Sequence, residues 1–137
     1  MRKIRTLIAH NDENVTNNIV NNMKNLDYVE VVGTASNGKE TYNKIIDLKP
    51  EMVFAKFEME DMNGFEIVKK SKEKLDSDIP VFNIFAEEMP KNEIEKIYNI
   101  AGRKFNAIIS EEQYQFEVPF ILEQYKEYKE YKKSKEQ

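Results

Sequence analysis

Three observations predict an α/β fold built on a parallel sheet. Short apolar runs rich in β-branched residues alternate with helix-spaced apolar residues, five times over. The runs carry few polar side chains, so both of their faces must be covered, which is the arrangement of parallel strands between helices. The chain has 137 residues, enough for one such domain with its own core and too few for two.

Each element has its own signal. Ile4 to Ala9 reads as the first strand. His10 to Asn14 is a polar turn able to cap a helix, and Val15, Ile19, Val20, Met23 and Leu26 then recur at helical spacing. Tyr28 to Thr34 is the second strand, closed by Ala35-Ser36-Asn37-Gly38. Tyr42, Ile45, Ile46 and Leu48 mark the second helix, which Pro50 stops, and Met52 to Ala55 is the third strand. Phe65, Ile67 and Val68 begin a third helix running to about Leu75. Ile79 to Phe85 is the fourth strand, and a loop with Pro90 leads to a fourth helix through Ile94, Ile97, Tyr98 and Ile100, closed by Gly102. Phe105 to Ile109 is the fifth strand. The last helix starts near Phe116 or Val118, with Pro119 placed in its first turn, where proline is tolerated. Asn37-Gly38 and Asn63-Gly64 read as turn chemistry.

Composition narrows the function classes. Hydrophobic residues at 40% and charged residues at 34% describe a globular domain with a well-solvated surface. A net charge of −4 argues against a nucleic-acid partner, which calls for a basic face. With no cysteine and one histidine, disulfides, thiolate metal sites and multi-histidine sites are excluded. No apolar run approaches the ~20 residues of a membrane span, and none near the N-terminus reaches the ~7–15 of a secretory signal. The expected location is cytoplasmic, with no cofactor and no metal.

Ligands of such sheets bind beyond the carboxyl ends of the strands, and Lys56 ends the third strand. A lysine ending an apolar strand and followed by the acidic turn of Glu58, Glu60 and Asp61 is unusual. Lys56 could act as a Schiff-base or low-pKa amine, but no second catalytic group accompanies it, and pairing with Asp12, Glu58, Glu60 or Asp61 is the favoured reading. His10 could sense pH or bind metal; a partly exposed turn histidine is the favoured alternative. Asp12 and Glu13 could weakly hold a cation, which Lys56 opposes.

These segments resemble the receiver domains of two-component response regulators. "IRTLIAHNDENV" is similar to a receiver's first strand and acidic turn, and "VEVVGTASNGKETYNKI" to its second strand and helix. "MEDMNGFEIV" resembles the turn of Met-Pro-x-Met-Asp-Gly type, and "AGRKFNAIIS" the Ala-Gly-Ala-x-x-Tyr-x-x-Lys-Pro around the fifth strand. The resemblance spans residues 3 to about 125, with a short insertion near Glu87–Pro90. It is strongest toward the receiver of the sporulation master response regulator, without a gap from Ile4 to Lys56. It implies a flavodoxin-like (βα)5 doubly wound sheet of strand order 2-1-3-4-5. Residues 1–125 would form the domain, and 126–137 an extension of the last helix with a charged tail.

A working receiver holds Mg²⁺ on two acids after strand 1 and on an acceptor aspartate ending strand 3. A hydroxyl ending strand 4 and a lysine ending strand 5 contact the phosphoryl group. The corresponding residues here are His10 and Asn11, Lys56, Phe85 and Ile109. The resemblance therefore implies a degenerate pseudo-receiver that accepts no phosphoryl group. It also implies an output face on helix 4, strand 5 and helix 5, carrying Tyr98, Arg103, Lys104, Phe105, Asn106, Tyr125 and Tyr128. The family's switch aromatic corresponds to Phe105 or Asn106. Ile121, Leu122, Tyr125 and Tyr128 could form an amphipathic stripe, with a frayed end after Tyr131. The expected role is a phosphorylation-independent protein interaction module. Its partner would be a histidine kinase, a phosphotransferase, a response regulator or a second copy as a homodimer. The alternative is a small-molecule sensor gripping an anion between Lys56 and His10.

Overall fold

In the computed structural model, which describes residues 2–136, five parallel strands form one sheet in the order β2-β1-β3-β4-β5. The elements are β1 (Ile4–Ala9), α1 (Glu13–Met23), β2 (Val29–Ala35), α2 (Gly38–Leu48), β3 (Met52–Lys56), α3 (Gly64–Leu75), β4 (Val81–Phe85), α4 (Lys91–Ala101), β5 (Phe105–Ile109) and α5 (Tyr114–Lys135). This is the flavodoxin-like receiver architecture, with strand order as expected. Gln137 of the expected tail and Met1 lie outside the described residues.

Side-chain alternation along the strands splits the core in two. Leu7, Val53, Phe82 and Ile84 point toward α2, α3 and α4, where they meet Ile45, Ile67, Val68 and Ile97. Ile4, Ile8, Phe54, Phe85 and Ile109 point to the other face, against Ile19 and Met23 of α1 and Tyr114, Val118 and Leu122 of α5. Each fully buried aliphatic or aromatic side chain contributes roughly 1.5–3 kcal/mol.

Polar turn residues start the helices. Asp12, Asn37 and Asn63 accept the N–H of Asn14, Glu40 and Glu66 at 2.9, 2.8 and 3.0 Å. The two Asn-Gly pairs are thus helix N-caps, each worth ~1 kcal/mol, and not free turns. Asp61 adds a cap from outside: its carboxylate accepts the N–H of Gly38 at 2.8 Å and of Lys39 at 2.9 Å. The β3–α3 loop therefore lies directly on the start of α2. A Cβ at Gly38 would stand 2.3 Å from the Met62 carbonyl oxygen, so this approach requires glycine.

Several boundaries differ from expectation: β2 runs one residue later than expected and β3 one residue longer, and β4 and α5 differ more. β4 begins at Val81 and not Ile79, because Pro80 has no N–H to give a neighbouring strand. α5 begins at Tyr114, two to four residues early, so Pro119 lies beyond the first turn and leaves the Gln115 carbonyl without its helical donor. α5 also continues to Lys135, past the point where fraying was expected.

Candidate functional site

The carboxyl ends of β3, β4 and β5 stand side by side. Lys56 pairs in register with Phe85, and Phe85 with Ile109. Phe54, Phe85 and Ile109 pack on the α1–α5 face, and Lys56, two residues after Phe54, follows the same alternation. His10 directly follows β1, and its backbone N–H extends the ladder to the Ala35 carbonyl at 3.0 Å. Topology thus gathers His10, Lys56, Phe85 and Ile109 at one corner of the sheet. Asn11 does not join them: it is exposed and lines a neighbouring cleft with Glu13, Ser36 and Glu40.

Glu111 closes this corner. It lies two residues past β5, and its Oε1 is 3.2 Å from Lys56 Nζ and 3.0 Å from His10 Nε2. The expected partners of Lys56 are engaged elsewhere or face solvent. Asp12 caps α1, Asp61 caps α2, and Glu58 and Glu60 are exposed. Glu111 was missed because loop contacts depend on where two strand ends meet. The sequence signal was a carboxylate just beyond β5, whose end aligns with Lys56 across Phe85 of β4.

His10 is buried, contrary to the expected turn histidine. The Asp12 backbone N–H donates to Nδ1 at 2.9 Å. Nδ1 must therefore be the acceptor, which leaves Nε2–H to donate to Glu111. That is the neutral tautomer. Burial holds the imidazole below its ordinary pKa of 6.5, only partly opposed by the hydrogen bond and charge of Glu111. The corner therefore sums to one cation, one anion and a neutral ring.

Phe85 fills the space beneath. It is fully buried, meeting the His10 ring edge-on at 5.7 Å, Phe54 at 6.3 Å and Tyr114 edge-on at 6.5 Å. Ile109 is fully buried beside it. No side chain at this corner offers the paired carboxylates that a hard cation needs. Among the described residues no group of three or more acidic, histidine or cysteine side chains is placed to hold a metal ion.

The expected output residues divide in space. Tyr98 projects from α4 and is exposed. Phe105 is half-buried and packs toward the α2–α4 core. Arg103, Lys104, Asn106, Tyr125 and Tyr128 instead line a groove between α5 and the amino ends of β4 and β5. Tyr125 is not free: it is half-buried, and its hydroxyl donates to Glu51 Oε2 at 2.7 Å. Burial and that hydrogen bond push its phenol well above its ordinary pKa. The buried stripe of α5 is Tyr114, Val118 and Leu122, flanked by Ile121 and Tyr125; Tyr128, expected in it, is exposed. The structure also exposes Phe116 and Phe120, which the sequence did not single out.

No family model matches the chain. In sequence it is 32% identical over 99 residues to a protein-glutamate methylesterase/protein-glutamine glutaminase of Clostridium acetobutylicum, across 72% of this chain and 29% of that protein. A protein of the same description from Geobacter sulfurreducens is 38% identical over 69 residues, across 50% of this chain and 19% of that protein. The chain thus spans under a third of the length of these relatives, and the match lies in their receiver part. Among solved structures, the response regulator domain of Thermotoga maritima CheB superposes with a TM-score of 0.74 at 23% identity, covering 90% of this chain and 96% of that one. The Salmonella typhimurium response regulator RcsB gives 0.76 at 15% identity, covering 93% of this chain and 61% of that one. The fold is that of a response-regulator receiver domain.

Proposed function

We propose that this receiver-type domain is a pseudo-receiver that works without aspartyl phosphorylation, as a protein interaction module in a two-component pathway, sporulation-type regulation included. The observation that carries this reading is the Lys56–Glu111–His10 corner. A receiver sets a carboxylate on strand 3 and a lysine just past it on strand 5. Here the charges are exchanged: the cation is on β3 and the carboxylate follows β5. An ammonium at this position repels Mg²⁺ and accepts no phosphoryl group, and Phe85 occupies the volume in which a hydroxyl residue would move. Glu111 already stands between Lys56 and His10, which weighs against the anion-sensor alternative.

The module carries no enzymatic activity of its own in this reading. Its partner is a kinase, phosphotransferase or regulator met through the edge formed by α4, β5 and α5, with residues 126–137 extending the last helix alongside. Wild-type protein mixed with a small phosphodonor and Mg²⁺ should take up no label, and Lys56→Asp alone should take up none either. Labelling of either protein refutes the reading. Cross-linked capture from native extract should recover a two-component protein equally with and without phosphodonor, and lose it with a Tyr98→Ala/Arg103→Ala variant.

A further inference from the structure

The groove at the amino ends of β4 and β5 carries five residues of the expected output face, and its charge and shape suit more than a protein contact. It has a volume of ≈ 530 Å³ and is lined by Arg103, Lys104, Asn106, Gln124, Tyr128 and Lys132, with Tyr125 on its floor. That volume suits a small molecule. Arg103 and Lys104 come from the 3-10 turn before β5 and Lys132 from the last turns of α5, so cations from two elements face a shared space. None of the three has a carboxylate within ion-pair distance among the described residues. A cleft of one charge sign concentrates counter-ions, and this one is cationic in a chain of net charge −4.

Asn106 makes the site more than a positive patch. The β4–β5 register jumps from the Phe82–Phe105 pair to the Asn83–Ala107 pair, so Asn106 falls between pairs as a bulge residue. Bulges re-aim a side chain. Its amide is held from behind by a fully buried asparagine in mid-strand. Asn83 donates to the Val53 carbonyl at 3.2 Å, and its Oδ1 accepts from Asn106 Nδ2 at 2.8 Å. This chain of donors fixes the flip of Asn106. One Nδ2 proton is committed inward, which leaves Oδ1 and the second Nδ2 proton of this groove-lining side chain without a partner among the described residues. Phosphate alone gains nothing from an acceptor. A heterocycle with an amino group does, and Tyr128 presents an exposed ring on which it can stack.

We propose that this groove binds a nucleotide whose base carries an exocyclic amino group. The phosphates lie on Arg103, Lys104 and Lys132, the base stacks on Tyr128, and the amino group donates to Asn106 Oδ1. The site is separate from the Lys56 corner and shares Arg103 and Tyr128 with the proposed partner face.

The test is calorimetric titration of the full chain at fixed ionic strength with ATP, GTP, CTP, ITP, UTP, pyrophosphate and adenosine. At least one of ATP, GTP and CTP should bind about tenfold more tightly than ITP, UTP or pyrophosphate. Arg103→Gln/Lys132→Gln should weaken it about tenfold, and Tyr128→Ala by a similar factor. Asn106→Leu should erase the preference for the amino-bearing base while keeping phosphate-dependent binding. Circular dichroism of each variant should match the wild type, and Lys56→Ala should bind as wild type does. Absence of binding by every nucleotide, pyrophosphate binding as tightly as the best of ATP, GTP and CTP, or an Asn106→Leu protein that still prefers the amino-bearing base would each overturn the proposal.

Discussion

The two ends of this parallel sheet handle charge in opposite ways. At the carboxyl end, Lys56 and the His10 ring close on Glu111, above a floor of fully buried aromatic and aliphatic side chains. At the amino end of β4 and β5, Arg103, Lys104 and Lys132 surround an open groove and meet no carboxylate among the described residues. The carboxyl-end corner is neutralised within the chain itself, and the amino-end groove is left charged and concave. Self-neutralisation lowers the affinity for an external ion, which would have to displace an internal partner already held at 3.2 Å.

The comparison breaks most severely at Phe85. Phe85→Ala should cost ~3–5 kcal/mol in urea unfolding, because the ring is fully buried among Phe54, Tyr114 and His10. A loss below ~1 kcal/mol would mean that the corner is loosely filled and could still open. The next effect is electrostatic. Lys56→Asp places a second carboxylate beside Glu111 and should cost ~1–2 kcal/mol for a pair about one quarter exposed. Exchanging the charges with Lys56→Asp/Glu111→Lys should recover most of that loss. Failure to recover would show that the pair contributes through geometry and not through charge sign.

A third test sharpens the contrast through pH. The folded chain holds His10 below its ordinary value of 6.5, so in the window just under 6.5 the unfolded chain binds more protons than the folded one. Stability from this group is therefore full above pH 6.5 and declines as pH falls toward the lowered folded value. Urea midpoints from pH 8 to 5 should show this decline, and His10→Gln, which keeps an acceptor for the Asp12 N–H, should flatten it. The smallest effect lies at the other end. Tyr125→Phe removes one hydrogen bond to Glu51, which keeps Lys129 as a partner, and should cost ~1 kcal/mol. Ultraviolet titration of the remaining tyrosines should then lose its latest-titrating phenol.

Most of the fold was legible from residues 4–109 because strand and helix periods are local. Runs such as Ile4–Ala9 and Met52–Ala55 announce themselves, and every strand and helix appears within a few residues of its expected place. Two of the boundaries that slipped involve proline: Pro80 shortened β4, and Pro119 was assigned to a first turn that in fact starts at Tyr114. The site was half legible. His10, Lys56, Phe85 and Ile109 were singled out by position, and the sheet brings all four to one corner.

The partners of those residues were not legible. The acidic turn after Lys56 suggested its counter-charge, yet Asp61 spends its carboxylate on the start of α2, and Glu111 arrives from 55 residues downstream. The burial of His10, its tautomer and the bulge at Asn106 likewise exist only once separate strands are in register. By itself the sequence determined the element order and the two-faced core, since these depend on residue type and short spacing. Only the tertiary structure decided which charges meet and which stay open, because ion pairs act within a few ångströms and that distance is set by the packing of elements far apart along the chain.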